Sequence, residues 1–515
     1  MAQARGQRMT EQWKELNKLA IDLMHRGDLE QAAVRLQKTL DSARAEHGDR
    51  HESVAVTLNN MGELYHLSGD YDQAEQSLRQ SIEVSEEIHG KGSLEVGETQ
   101  LNLAELYFLQ QRDEEADRQV EEIVSIYEAK AATDQSLLVS VYNTCATLYL
   151  EAGRAEPARM HLEKARQAIE ERSGAEPELA VVLKGLAVID RHQGDFEGAE
   201  TKLRRALSIF ENSIGPEHPE FAGTLAHLSE VYLSQGLFQA AEPLLTQAIE
   251  IYTHAYKDPH PEAGAAIDRL ATLYAATGRA EKAETLYREA IHIYSASLGA
   301  DHPALAEAQN SLGEMYINGG QLEEGFALVE SSLAIREKSF GTNHPAVAQS
   351  LNNIAIIYDR RGDHALALRQ HQKALKIRET VFGQDHPAIT QSLDNMAAIY
   401  RGQGKTSEAV ALLERSLAIW QQAQGDAHPA AAQSHHNLAT LYIEAEKYDQ
   451  AEQALLRSKK ILEKDKEAHQ MHLATVFETL SGLYKKMGKE RESNEYAARS
   501  LKIRKPEQTG ASQVH

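Results

Sequence analysis

The sequence predicts an all-α solenoid of about twelve helix-turn-helix repeats. Three observations predict it: a turn residue that returns every 42 positions, small and aromatic residues held at constant offsets from that turn, and a His-Pro pair that punctuates the other end of each unit. The turn series runs Gly27, Gly69, Gln111, Gly153, Gly194, Gly236, Gly278, Gly320, Gly362, Gly404, Glu446 and Gly488. Every spacing is 42 except the 41 between Gly153 and Gly194. Self-similarity at such a period marks a repeat array, in which no unit buries its apolar face alone and each must stack on its neighbours.

Four residues before the turn sits an aromatic, as in Tyr65, Tyr107, Tyr149, Tyr232, Tyr274 and Tyr358. Seven before it sits a small residue, as in Gly62, Ala104, Ala146, Ala271 and Ala355. Positions three apart share a helix face, so these two line one side of a first helix, helix A. Five after the turn comes Ala32, Ala74, Ala158, Ala241 or Ala367 on a second helix, helix B. Small residues there let the two backbones approach closely. The turn glycine takes a left-handed conformation that strains other residues and ends helix A. Asp28, Asp70, Asp195 and Asp363 follow it as candidate caps for helix B.

The pairs His218-Pro219, His260-Pro261, His302-Pro303, His344-Pro345, His386-Pro387 and His428-Pro429 keep the same beat. Proline is favoured in the first helical turn, so each pair opens the next helix A. In one representative unit, helix A is predicted over about 346–361 and helix B over about 363–382. The expected organisation is a flexible N-terminus at 1–10, a solenoid over 11–503, and a disordered tail at 504–515. The repeats are regular over 216–446 and more divergent over 91–215. Asp190 stands where an aromatic is expected, and its repeat is one residue short; this reads as drift.

Composition narrows the partners. The chain of 515 residues carries a formal net charge of −23, which disfavours phosphate backbones and anionic lipid surfaces. Neither nucleic acid nor membrane is an expected partner. No run approaches the 18 apolar residues of a spanning helix, and residues 1–10 lack a secretory h-region. The single cysteine, Cys145, cannot form an internal disulfide and reads as a small buried residue. The expected compartment is the cytoplasm.

These offsets match the tetratricopeptide (TPR) consensus over about 11–503. The His-Pro start, Leu351-Asn352-Asn353, Ile377-Arg378-Glu379 and the 42-residue length resemble kinesin light chain-type repeats most strongly over 216–446. Kinesin light chains place a heptad coiled coil ahead of their repeats. Here the first repeat begins near Trp13, which leaves no room for one. The resemblance implies a right-handed TPR superhelix with helices A lining a concave groove for a peptide or protein partner.

It also implies which residues line that groove: positions thirteen, ten, nine, six, three and two before the turn. Gln349, Gln391 and Gln433 fill the thirteenth; Asn352, Asp394 and His436 the tenth; Asn353, Asn395 and Asn437 the ninth. Arg360 and Arg401 lie near the ends of their helices. Amides offer both donors and acceptors to a peptide backbone of any sequence, and arginine adds bidentate recognition of a carboxylate. In related grooves the asparagines of the ninth position grip peptide backbone. The resemblance extends that role to Asn60 and Asn102.

Catalytic chemistry finds no support. The run at 402–407 ends like a phosphate-binding loop, but Ile399 stands where the first glycine belongs and helix A precedes it instead of a strand. The His-Pro histidines sit roughly 10 Å apart, one packed helix from the next, whereas metal ligands converge within about 2.1 Å of the ion. No catalytic residue, metal or cofactor is expected. The sequence favours a protein-interaction adaptor. The alternatives are a scaffold that binds folded partners or copies of itself, and a regulatory subunit of a separately encoded enzyme.

Overall fold

The structure is a computed structural model that describes residues 2–25, 28–110, 112–130, 135–170, 176–424, 429–465 and 470–504. Gly27, Gln111, His428 and the tail beyond Arg504 lie outside the described residues. Every regular element among the described residues is helical. The chain divides into two compact units, Met1–Gly299 and Ala300–His515.

The first unit holds seven helix pairs. They are α1 (Ala2–His25) with α2 (Leu29–His47), α3 (Glu52–Ser68) with α4 (Tyr71–His89), α5 (Leu94–Leu109) with α6 (Asp113–Lys130), α7 (Gln135–Glu151) with α8 (Ala155–Glu170), α9 (Glu176–His192) with α10 (Phe196–Ser213), α11 (Pro219–Ser234) with α12 (Phe238–Ala255), and α13 (Pro261–Ala276) with α14 (Ala280–Leu298). Helix α1 takes in residues 2–10, which the sequence had set apart from the array.

The second unit holds five pairs: α15 (Pro303–Asn318) with α16 (Leu322–Phe340), α17 (Pro345–Arg360) with α18 (His364–Phe382), α19 (Thr390–Gly402) with α20 (Thr406–Gln424), α21 (Pro429–Glu444) with α22 (Tyr448–Leu462), and α23 (Gln470–Lys486) with α24 (Glu490–Arg504). A 3₁₀ turn, Pro387–Ile389, leads into α19. Within each unit every helix packs on its pair partner, and the second helix of each pair packs on the first helix of the pair that follows it in the unit.

The turns behave as their residues dictate. Gly362 sits at φ +88°, and Asp363 N donates to Tyr358 O at 2.8 Å, which satisfies a carbonyl that the helix end would leave open. Asp28, Asp70 and Asp195 cap their helices by accepting a backbone N–H; Asp363 makes no such bond. The His-Pro motif is itself a cap. His218, His260, His302, His344 and His386 each accept a backbone N–H through Nδ1, two residues on, at 3.1–3.4 Å. In three of them the ring stacks on an aromatic residue four positions earlier: Tyr256–His260, Phe340–His344 and Phe382–His386.

Ala32, Ala74, Ala158, Ala199, Ala241, Ala283 and Ala367 are fully buried where helix B crosses helix A. In the α15–α16 pair the equivalent is Gly325, whose Cβ would fall 2.9 Å from Ile317 and 3.1 Å from the Gly313 carbonyl. That crossing is too close even for alanine. Cys145 is buried, as expected, and burial pushes its thiol up to about 12.

A polar tie joins successive pairs. At three joints the tyrosine of one helix A and an arginine just after its turn converge on a carboxylate of the preceding helix B. Glu75 receives Tyr107 Oη at 2.9 Å and Arg112 at 2.5 Å; Asp117 receives Tyr149 and Arg154 at 2.9 and 2.6 Å; Glu242 receives Tyr274 and Arg279 at 3.0 and 2.9 Å. Burial would raise Glu75, but Arg112, Arg79 and Tyr107 hold it down at about 2. Asp190 is therefore more than drift. At its joint the preceding helix B carries Arg159 in the carboxylate's place, and Asp190, 2% exposed, pairs with it at 2.8 Å and with Lys202 at 2.5 Å. The charges of this joint are reversed, and the tie survives.

Two predictions follow from these joints. Asp190→Tyr alone leaves Arg159 and Lys202 without a counter-charge and is expected to destabilise the protein by about 3 kcal/mol. Adding Arg159→Glu restores the tyrosine–carboxylate bond of the common tie, though Asp195 stands where the turn arginine would be, and recovers part of that loss, which a double-mutant cycle of urea midpoints would detect. Glu446, at φ 58°, is the one non-glycine residue with positive φ among the described residues. Glu446→Gly is expected to raise stability by about 0.5–1 kcal/mol, because relief of left-handed strain outweighs glycine's extra chain entropy; an unchanged melting temperature would count against it.

Candidate functional site

The candidate residues all lie on helices A, Asn60, Asn352 and Asn353 among them buried, and the structure gives them three kinds of surroundings. The first is a ladder between neighbouring helices A. Asn60 Nδ2 donates to Asn17 Oδ1 at 3.2 Å, Asn102 Nδ2 to Asn59 Oδ1 at 3.0 Å, and Asn353 Nδ2 to Asn310 Oδ1 at 3.2 Å. Each pair is 43 residues apart, joining the ninth position of one repeat to the tenth of the repeat before. His436 Nε2 and Thr479 Oγ1, at 2.9 Å, repeat the geometry between α21 and α23. These asparagines spend part of their hydrogen-bonding capacity on the array itself. Arg360, which donates to the Ile317 carbonyl, and Arg401, paired with Glu444 at 2.8 Å, also bridge neighbouring helices A.

The second surrounding is the interior of a repeat. Asn352 is 1% exposed, and its Oδ1 lies 2.6 Å from Nδ1 of buried His371 on α18. The oxygen can only accept, so the imidazole donates. Burial holds His371 at about 4, neutral and suited to that bond.

The third is the exposed face. Gln349 and Gln391 each turn an amide oxygen toward an arginine of helix B: Arg336 at 3.4 Å and Arg378 at 3.1 Å. Gln433 donates to Asn437 Oδ1 at 2.9 Å along α21. Asn395, half-buried on α19, has no hydrogen bond among the described residues.

In the second unit a cleft of about 630 Å³ lies between α15, α17, α18 and α19. It brings together Gln349, Asn352, Asn353 and Gln391, with Ile356 on its wall and Arg378 from helix B. A smaller hollow of about 80 Å³ gathers Asp394, Arg401 and Asn437. Asn102 belongs to the first unit, where it lines a separate cleft of about 530 Å³ with Asn59 and the carboxylates Glu52, Glu95, Glu98 and Glu105. The tenth-position asparagines Asn17, Asn59 and Asn310 and the helix B arginines Arg336 and Arg378 were not among the sequence candidates. Comparing each ninth position with the tenth of the preceding repeat would have revealed the asparagines.

Among the described residues no group of three His, Cys, Asp or Glu side chains is arranged to hold a metal ion, and no helix is long and apolar enough to cross a membrane.

The array belongs to the tetratricopeptide repeat family, whose repeat model matches residues 14–87, 69–129, 95–171, 178–254, 262–318, 306–380 and 386–464. No curated protein matches the sequence. Among solved structures, BtubC (BKLC) from P. vanneervenii is similar at 20% identity, covering 46% of this chain and 94% of its own, with a TM-score of 0.40. A putative kinesin light chain from Podosopora anserina, with nearly identical TPR-like repeats, is 27% identical over 40% of this chain and 99% of its own, TM-score 0.35. A Rap protein complexed with competence and sporulation factor is 18% identical over 72% of this chain and 99% of its own, TM-score 0.49.

Asp394 supplies a test of the ladder. It occupies a tenth position, where an amide would accept from the next repeat, but Asn437, 43 residues on, makes no hydrogen bond to it among the described residues and is engaged through its oxygen with Gln433. Asp394 Oδ1 is buried without a partner, and burial, opposed by a bond from Ser416, raises its carboxyl from 3.8 to about 6. A raised folded-state pKa means this carboxyl costs nothing below about 3.8 and its full penalty above about 6. Asp394→Asn is expected to stabilise the protein by about 1–3 kcal/mol at pH 8, with the advantage fading toward pH 4. Denaturant titrations at the two pH values decide it, and a gain independent of pH would show that ionisation is not the cause.

Proposed function

We propose that the chain is a non-catalytic adaptor that holds an extended segment of a partner protein along the helix A face of its second unit. Tetratricopeptide repeat proteins are typically protein-binding adaptors, and stacked repeats offer long continuous surfaces for that purpose. The observation that carries this reading is the cleft of about 630 Å³ in which Gln349, Asn352, Asn353 and Gln391 from two consecutive repeats line one surface. Amides at a regular spacing pair with the main chain of an extended peptide, while pockets between them sort its side chains.

In this reading Gln349, Gln391, Asn395, Gln433 and Asn437 contribute most of the peptide contacts. Asn353, Asn60 and Asn102 serve both the array and the ligand, with Arg360, Arg401 and His436 at the margins. The net charge of −23 favours a protein partner over a polyphosphate one. A single buried cysteine suits a reducing cytoplasm.

Ile356 is half-buried on the cleft wall, so Ile356→Trp fills the groove while every ladder asparagine is kept. Peptides selected by the wild-type chain from a random display library are expected to bind this variant at least about tenfold more weakly, the scale set by loss of one well-packed anchor. Helicity and melting temperature should stay unchanged. Failure to select any peptide, or undiminished binding to the variant, would remove the groove reading.

A further inference from the structure

Two consecutive repeats bury an arginine at the same place in helix B, and only one of them supplies it with a counter-charge. Arg336 and Arg378 are 42 residues apart and are 1% and 7% exposed. Four groups receive the Arg336 guanidinium: the Ala346 carbonyl and Ser350 Oγ at 2.9 Å, Gln349 Oε1 at 3.4 Å, and the Glu307 carboxylate. Arg378 repeats the forward half of this set one repeat later, donating to Ser392 Oγ at 2.8 Å and Gln391 Oε1 at 3.1 Å. The backward half is missing. The residue 42 after Glu307 is Gln349, a neutral amide, and no ion pair to Arg378 forms among the described residues. Burial alone acts on Arg378 and disfavours its charge, whereas Glu307 offsets the same effect at Arg336.

A buried guanidinium without a carboxylate is costly. This one lines the cleft of about 630 Å³, flanked by Gln349 and Gln391. Its planar fork of five donors suits a carboxylate held side-on, and only two of its partners come from the chain.

We propose that Arg378 is a subsite for a carboxylate of the bound segment, which takes the place over Arg378 that Glu307 takes over Arg336. This rests on the groove reading above and deepens it, since it makes the partner segment acidic at one position. The carboxylate comes either from an Asp or Glu side chain or from a free C-terminus. Glu314, also on the cleft wall, is raised by burial and by the nearby Glu307, so the carboxylate preference is confined to the Arg378 end.

The test uses the full chain and Gln349→Glu, which restores the internal counter-charge by the logic of the neighbouring repeat. The probes are fluorescent octapeptide pools, randomised over neutral residues. One pool has Glu at its centre and capped ends, and a matched pool has Gln there. A third is neutral throughout with a free C-terminal carboxylate, and its twin is amidated. Wild-type protein is expected to retain the Glu pool or the free-acid pool about tenfold better than its neutral match; whichever pool wins identifies the source of the carboxylate. In Gln349→Glu the preference should fall to parity, while the melting temperature rises because Arg378 gains a partner. Equal retention of acidic and neutral pools by the wild type overturns the subsite and leaves the groove reading standing. An acidic preference that persists in Gln349→Glu also overturns it, because the carboxylate then binds elsewhere. If no pool is retained at all, the groove reading fails and the subsite fails with it.

Discussion

The structure depends on the joint between one helix pair and the next. A single pair buries its alanines between its own two helices but leaves a second apolar face open, and only the following pair closes it. The close crossings at Ala74, Ala158 or Ala241 fix the geometry within a repeat. Between repeats, position is set by directional bonds: a tyrosine and an arginine reaching back to a carboxylate such as Glu75 or Glu242, and an asparagine reaching back to another asparagine on the parallel helix A. Packing supplies the cohesion and these bonds supply the alignment.

Much of this was legible before any coordinates. The period set the number of repeats, and the glycine, proline and tyrosine offsets placed helix boundaries within a residue or two: α17 runs Pro345–Arg360 against an expected 346–361. Such features are local, because each follows from one residue's own conformational limits. What the offsets did not convey was the partner of each polar side chain. Asn353 sits on the face its position implies, yet its amide meets Asn310, a residue from a different offset in another repeat. Asn352, adjacent in sequence, turns into the repeat toward His371. Neighbouring positions on a helix point about 100° apart, so residues that share an amide chemistry do not share an environment. His371 and Asn352 also belong to no common motif, and nothing in their spacing marks them as a pair.

The candidate groove shows the same division. Sequence indicated the surface, and the structure indicated where on that surface polar groups remain uncommitted. Unit one carries one of its asparagine pairs, Asn59 and Asn102, beside four glutamates, whereas the cleft of unit two holds amides and a buried arginine. Two stretches built on one template thus present different electrostatic character: carboxylates dominate the first cleft, whereas the second sets one arginine, Arg378, against one glutamate, Glu314. Function in a repeat array is written in these departures from the template.

The reversed joint at Asp190 has a consequence for assembly. In a chain of near-identical units the hazard is pairing in the wrong order, since most tyrosines would find an acceptable carboxylate on several helices. Arg159 and Asp190 are complementary to one another and to no other joint of the common kind. Docked at one of the three joints that carry Arg112, Arg154 or Arg279 after the turn, Arg159 would meet that arginine, and Asp190 would meet a carboxylate. The exchange therefore works as a registration mark: it disfavours misordered stacking near the middle of the first unit by like-charge repulsion, at the cost of the buried aromatic ring that the common joint carries.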